Sequence, residues 1–296
     1  MGSKYGAIAY GCWRFAGTSV TEARTKVETA LECGMTLIDT ADIYGYAGGA
    51  PAADGSSGFG AAEELLGRVF AESPGLREQV TLATKGGIFP PVPYDSSATY
   101  LRGAAEDSLR RLGTDRMELY QIHRPDLLAH PESVASVLDD LVTSGKVGAV
   151  GVSNHTVAQT EALASFLEAP LATTQPEFSP LAAEPLADGT FDHAMTRGIV
   201  PLAWSPLAGG RLGSPAPGDA RANAVVEVVD RIAAEQGVGR TAVVLAWVMR
   251  HPAGCVPIVG SQQPGRIREC ARAVEVVLSR DEWYEILVAG RGEPMP

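Results

Sequence analysis

Four side chains in the first half of the chain carry the makings of acid–base chemistry: Asp39, Tyr44, Lys85 and His123. Asp39 ends a short apolar run, and Tyr44 follows five residues later. Lys85 closes a second apolar run just before Gly86-Gly87, and His123 closes a third. A free phenol titrates at roughly pH 10. An ammonium beside it favours the phenolate, and a carboxylate beside the ammonium keeps the lysine charged and in place. An imidazole at the same spot orients a polar group by hydrogen bonding. Together they make a tunable proton donor aimed at one oxygen. Reducing a carbonyl needs that proton on oxygen and a hydride on carbon. No side chain supplies hydride, so the chemistry calls for a nicotinamide cofactor. Taken singly, each residue has a plainer reading. Asp39 caps a helix, Tyr44 packs, Lys85 is a surface lysine before a turn, and His123 is a core histidine.

Bringing the four together requires strands that end at a common place. Apolar runs fall at residues 36–39, 80–84, 117–122, 147–152, 171–174, 199–203, 256–259 and 274–278. Helical patterns alternate with them at 21–33, 61–70, 99–112, 131–144, 157–167, 185–197, 222–235, 241–249, 265–272 and 281–288. Continuous apolar strands suit a sheet covered on both faces. Eight of them with helices between predict an α/β fold, a (β/α)8 TIM barrel, as one domain over residues 1–296. A doubly wound sheet is the alternative. Against it, no complete G-x-G-x-x-G follows a strand and there is no G-x-x-x-x-G-K-[ST]. Glycine-rich stretches at 45–60 and 206–218 predict loops, the first flexible and beside Tyr44.

In such a barrel the site lies at the C-terminal strand ends. There the chain sets Asp39, Lys85, His123, Ser153, Asn154, Gln175, Trp204, Ser205, Gly260 and Ser261. A net charge of −11 disfavours nucleic acid and anionic membrane as partners. Cys12, Cys33, Cys255 and Cys270 form no C-x-x-C pair, which predicts reduced thiols and a cytoplasmic protein. No export-signal pattern opens the chain, no apolar run is long enough to span a bilayer, and no metal-ligand spacing occurs.

With these residues in order, the chain resembles the aldo-keto reductases. The resemblance is carried by Gly11-Cys12-Trp13, by Asp39 to Gly45, by Ala83-Thr84-Lys85 and by Ile122-His123-Arg124-Pro125. It continues through Gly151-Val152-Ser153-Asn154, Gln175-Pro176-Glu177-Phe178, Trp204-Ser205-Pro206-Leu207, and Val259-Gly260-Ser261 to Arg266. The ordered set is most similar to the bacterial oxidoreductase branch with HRPD and GVSN motifs.

The resemblance implies reduction of an aldehyde or ketone by NADPH, with NADH as the alternative coenzyme. It implies Tyr44 as general acid, Asp39 and Lys85 tuning it, and His123 orienting the carbonyl. Ser153, Asn154 and Gln175 would hold the nicotinamide carboxamide, and Phe178 would stack on its ring where the family usually has tyrosine. Trp204, Ser205, Leu207, Gly209 and Arg211 would cover the pyrophosphate. Gly260, Ser261 and Arg266 would meet the adenosine 2′-phosphate, where a charged fork suits phosphate. Gly11, Trp13 and Asp39 are grouped with the cofactor contacts, Trp13 also as a wall of the substrate pocket.

Some positions depart from the family. Gly260 replaces a common lysine, and Cys270 stands where asparagine often contacts adenine. The segment after the last helix is short, and the 45–60 loop is long. The expected partner is a small-molecule carbonyl substrate, with no oligomer required. Two other functions compete: a nicotinamide-binding regulatory protein of the same fold, and a Schiff-base enzyme using Lys85. A lysine beside Asp39 should stay protonated, which argues against the latter.

Overall fold

The computed structural model describes residues 4–46 and 58–296. Most of the glycine-rich 45–60 loop, expected to be flexible, therefore lies outside the described residues.

Among the described residues, eight parallel strands close into a barrel in chain order. They are β1 (Ala9–Gly11), β2 (Leu37–Asp39), β3 (Thr81–Gly86), β4 (Leu119–Ile122), β5 (Val150–Ser153), β6 (Leu171–Gln175), β7 (Val200–Ala203) and β8 (Val256–Val259). The outer helices are α1 (Val20–Glu32), α2 (Ala61–Glu72), α3 (Ala98–Leu112), α4 (Pro131–Thr143), α5 (Val157–Ala164), α6 (Thr190–Arg197), α7 (Ala220–Gln236), α8 (Arg240–Met249), α9 (Pro264–Ala271) and α10 (Arg280–Arg291). The chain is thus an α/β TIM barrel.

The eight strands are not the eight expected. Ala9–Gly11 is β1, and its three residues are too few to show a pattern in sequence. Residues 274–278 are not a strand. Arg272–Glu275 form a 3-10 turn, and the chain then runs to Ser279, which caps α10. The expected helix at 185–197 also divides. A 3-10 turn at Glu184–Leu186 precedes α6, because Gly189 takes φ 86° at the helix entrance.

Side chains two apart on a strand share a face. Ala9, Leu37, Ala83 and Leu119 point inward with Leu202, Val256 and Ile258 and plug the lower barrel. One same-face step further along the first four strands come Gly11, Asp39, Lys85 and Gln121. The apolar plug therefore carries a polar layer directly above it. The outward residues, among them Tyr10, Ile38, Leu82 and Tyr120, pack under the helices in separate apolar clusters.

All four cysteines are unpaired. Among the described residues no group of side chains is set to hold a metal, and no helix is long and apolar enough to cross a membrane.

Candidate active site at the barrel mouth

Lys85 is fully buried, and its ammonium donates in three directions. Nζ lies 2.7 Å from Asp39 Oδ2, 2.8 Å from the Thr40 carbonyl and 3.1 Å from the Tyr44 hydroxyl. Burial opposes the charge on Lys85, but Asp39 and then Tyr44 outweigh it, and the net displacement is upward. The lysine is a fixed cation.

The phenol of Tyr44 behaves differently from the sequence expectation. Burial raises its pKa, and Lys85 offsets only part of that rise, so Tyr44 stays above its ordinary value. It rests as the neutral phenol, a proton donor. His123 lies edge-on to it, ring centroids 5.8 Å apart. Burial, then Lys85 and Arg124, hold His123 well below the usual imidazole range. It is therefore a neutral ring, and its Nδ1 is buried with no hydrogen-bond partner among the described residues.

Asp39 is gripped from its other oxygen. Gln175 Nε2 donates to Oδ1 at 3.0 Å, and Gln121 Nε2 approaches it at 3.5 Å. The Gln121 amide is oriented by Thr173, whose hydroxyl donates to Oε1 at 3.1 Å. Thr173 in turn needs Gly151 opposite it, because a Cβ there would fall 2.0 Å from Thr173 Oγ1. The sequence reading missed Gln121 and Thr173. An inward period-2 step from Leu119 would have found Gln121.

The next group is also assembled. Ser153 Oγ donates to the Gln175 carbonyl at 2.9 Å, and Asn154 Nδ2 donates to Ser153 Oγ at 2.7 Å. Asn154 sits in the left-handed region, φ 57°, where its Oδ1 accepts from Trp204 Nε1 at 2.8 Å. The Arg124 guanidinium stands 5.8 Å from the Trp204 ring centre.

Phe178 does not join them. It has no exposed surface and packs against Phe191 and Trp247, centroids 4.7 and 5.0 Å away. A ring buried among core aromatics presents no face to a ligand, so the expectation that Phe178 stacks on nicotinamide is corrected. Trp204, one strand over at the mouth, is a partly exposed aromatic ring.

The β7–α7 loop is held in an unusual backbone. Ser205, Ala208, Gly209 and Gly210 have φ of 53°, 51°, 70° and 102°. Ser205 Oγ accepts from the Gly209 N–H at 2.7 Å, and Leu207 packs half-buried beneath. Non-glycine residues at positive φ are strained, and such strain gathers where backbone N–H groups meet a ligand. Arg211 is less free than expected: its guanidinium clasps Asp219 at 2.7 and 2.9 Å. Gly11 has a packing reason, since a Cβ there would lie 2.7 Å from Ile258 Cγ2. Trp13 is 63% exposed, with the Arg14 guanidinium 5.2 Å from its ring.

In the β8–α9 loop, the Ser261 carbonyl accepts from Tyr10 OH at 3.1 Å. Arg266 is exposed on α9 and makes no ion pair among the described residues. Gly260 lies in the same loop.

Behind the tetrad is a second buried polar cluster with no sequence signal. Asp42 has no exposed surface; burial, and then Glu63, push its pKa up to about 8. Tyr100 OH lies 3.3 Å from Asp42 Oδ2 and 3.3 Å from the Ile88 carbonyl. The Tyr100 hydroxyl thus stands between two acceptors. Glu63 meets Arg111 at 2.7 Å and accepts from Thr84 Oγ1 at 2.5 Å. The Asp42 N–H donates to the Lys85 carbonyl at 3.1 Å, so the cluster anchors the turn that presents Tyr44.

A nicotinamide dinucleotide fits this mouth. Ser153, Asn154 and Gln175 form one amide-and-hydroxyl set of the kind a carboxamide pairs with. Glycines 209 and 210 have no heavy atom within 4 Å of a would-be Cβ, leaving backbone open to a phosphate. Arg266 is a cation without a counter-ion among the described residues.

The chain is similar to known proteins. The sequence profile described as "Aldo/keto reductase family" matches residues 7–288. A protein named 6-dehydroglucose reductase from Novosphingobium aromaticivorans is 55% identical over 291 residues, covering 98% of this chain and 93% of the relative. One of the same name from Agrobacterium fabrum is 39% identical over 298 residues, covering 97% and 94%. Among solved structures, the glycerol dehydrogenase AKR11B4 from Gluconobacter oxydans superposes with a TM-score of 0.83 at 26% identity, covering 100% and 95%.

Proposed function

The chain belongs to the aldo/keto reductase family, an NAD(P)H-dependent oxidoreductase of small-molecule carbonyls, and on that premise we propose that it reduces the C6 aldehyde of a hexose with NADPH. The substrate class is taken from two relatives named for 6-dehydroglucose, glucose carrying an aldehyde at C6. The observation that carries the mechanism is the contact of the Tyr44 hydroxyl with a lysine that is itself held by a buried carboxylate.

Tyr44 gives its proton to the carbonyl oxygen as negative charge develops there. Lys85 stabilises the resulting phenolate, and Asp39 keeps Lys85 charged and aimed. Neutral His123 orients the carbonyl beside Tyr44 by a hydrogen bond. Bound NADPH supplies the hydride. Ser153, Asn154 and Gln175 would hold its carboxamide, and Trp204, rather than Phe178, would cover the ring. The backbone from Ser205 to Gly210 would receive the pyrophosphate, and Ser261 and Arg266 the 2′-phosphate. Arg124 beside His123 and the exposed Trp13 offer a guanidinium and an aromatic face to a polyhydroxylated substrate.

Lys85 has no free lone pair while its three protons are engaged, which supports proton-donor tuning over Schiff-base chemistry. The tetrad comes wholly from one chain, which supports a site complete in one barrel domain. Unpaired cysteines suit a reducing compartment, and we take that compartment to be the cytoplasm.

The test is NADPH consumption with 6-dehydroglucose and a panel of simple aldehydes. Wild-type protein should turn over 6-dehydroglucose best, and Tyr44→Phe should lose turnover while still binding NADPH. Full activity of Tyr44→Phe on every aldehyde would remove the proton-donor assignment. Preference for a non-sugar carbonyl would remove the substrate.

A further inference from the structure

Lys26, on the second turn of α1, is a buried cation with no carboxylate in ion-pair range among the described residues. It is 5% exposed. Its ammonium donates to Thr18 Oγ1 at 3.2 Å and to Gln262 Oε1 at 3.0 Å, and lies 5.8 Å from the Phe15 ring centre. The third N–H has no partner among the described residues. Glu22, one turn earlier, is committed to the α1 cap, where its Oε2 accepts from the Ser19 N–H and hydroxyl. Burying an ammonium without a counter-ion is unfavourable. Burial accordingly pushes Lys26 below the ordinary lysine value. An anion bound beside it would offset that cost.

Gln262 identifies where such an anion would lie. It belongs to the β8–α9 loop, and its Nε2 donates to the Gly260 carbonyl at 3.2 Å. The loop is thus pinned from beneath by Lys26 of α1 and by Tyr10 of β1. It leads into α9, where Arg268 is paired with Glu32 but Arg266 has no such pair among the described residues. Position 260 itself carries no charge. Nothing in the packing demands glycine there, because a Cβ would meet only the Gly11 carbonyl, at 3.6 Å.

We propose that Lys26 determines the preference for NADPH over NADH: from α1 it supplies, with Arg266, the positive charge for the adenosine 2′-phosphate that the β8–α9 loop lacks at position 260. The proposal rests on the NADPH reading above. Lys26 acts on the 2′-phosphate end only and leaves the nicotinamide end untouched.

The test compares dissociation constants for NADPH and NADH, read by tryptophan fluorescence at low and high salt, in wild type, Lys26→Gln and Lys26→Arg. Lys26→Gln removes the charge while keeping groups that bond Thr18 and Gln262, and the ratio of the two constants cancels general damage. Wild type should prefer NADPH. Lys26→Gln should lose about tenfold of the NADPH affinity, the scale of one charge-assisted contact. It should change NADH binding little and show a shallower salt dependence. Lys26→Arg should keep most of the preference. An unchanged ratio in Lys26→Gln, with wild type still preferring NADPH, overturns this proposal and leaves the coenzyme reading standing. Equal binding of both coenzymes by wild type overturns the coenzyme reading and the proposal with it.

Discussion

Asp39 and Lys85 meet at 2.7 Å although they are not register partners. Asp39 stands beside Ala83 across the β2–β3 ladder, and Lys85 is one same-face step further toward the mouth. The lysine therefore leans back over its own strand to reach the carboxylate. That lean leaves its remaining protons for the Thr40 carbonyl and the Tyr44 hydroxyl, which lie beyond the end of β2.

Removing Lys85 should damage both stability and turnover. Lys85→Met leaves the Asp39 carboxylate buried without its cation, and breaking a buried pair costs roughly 3–5 kcal/mol. Turnover should fall by about 10²-fold or more, because the phenolate of Tyr44 loses its stabilising charge. Chemical denaturation and single-turnover reduction measure the two losses separately. A variant of wild-type stability and rate would show that the pair is neither structural nor catalytic.

Gln121 should act through Asp39 without touching substrate. Gln121→Met removes the amide that approaches Asp39 Oδ1 and leaves Thr173 without its acceptor. The expected result is a roughly tenfold fall in kcat, the scale of one hydrogen bond to a charged group, with KM unchanged. The pH profile of kcat should shift as well. A purely structural role would lower stability and leave that profile where it was.

Asp42 makes stability fall with rising pH across the acidic-to-neutral range. In the unfolded chain an aspartate titrates near 4, whereas here it is pushed up to about 8. Between those values the folded state holds a proton that the unfolded state has released, so stability falls as pH rises through the window. Below it both states are protonated, and above it both are ionised. The linkage relation puts the loss at no more than the order of 5 kcal/mol. Asp42→Asn should flatten the slope, read from denaturation midpoints at pH 5, 6, 7 and 8. Parallel curves for the two proteins would show that Asp42 titrates normally.

Phe178 and Trp204 should separate packing from binding. Phe178→Ala opens a cavity among Phe191, Trp247 and His251 and should cost about 3–5 kcal/mol. Its NADPH affinity should stay within about twofold, a small change on the affinity scale. Trp204→Ala should weaken NADPH binding by about tenfold, the scale of one aromatic contact, with a smaller loss of stability. The opposite pattern would return the stacking role to Phe178.

The sequence by itself determined the family and the barrel architecture, and it singled out the four side chains that the fold gathers at the barrel mouth. Asp39, Tyr44, Lys85 and His123 were legible because three of them end apolar runs, and a polar residue ending a buried strand stands out against its neighbours. The barrel was legible because strand and helix differ in period over many residues. Three-residue β1 was not, since so short a run has no period, and the apolar run at 274–278 resembles a strand although it is the end of a 3-10 turn and an irregular link, with Val274 and Val277 exposed. Only the tertiary structure decided which face each aromatic presents, burying Phe178 and leaving Trp204 at the mouth. It alone brought Lys26, Gln262, Thr173 and Asp42 to their partners. Those contacts join elements far apart in the chain, and their distances are fixed by barrel closure and helix packing rather than by any local pattern of residues.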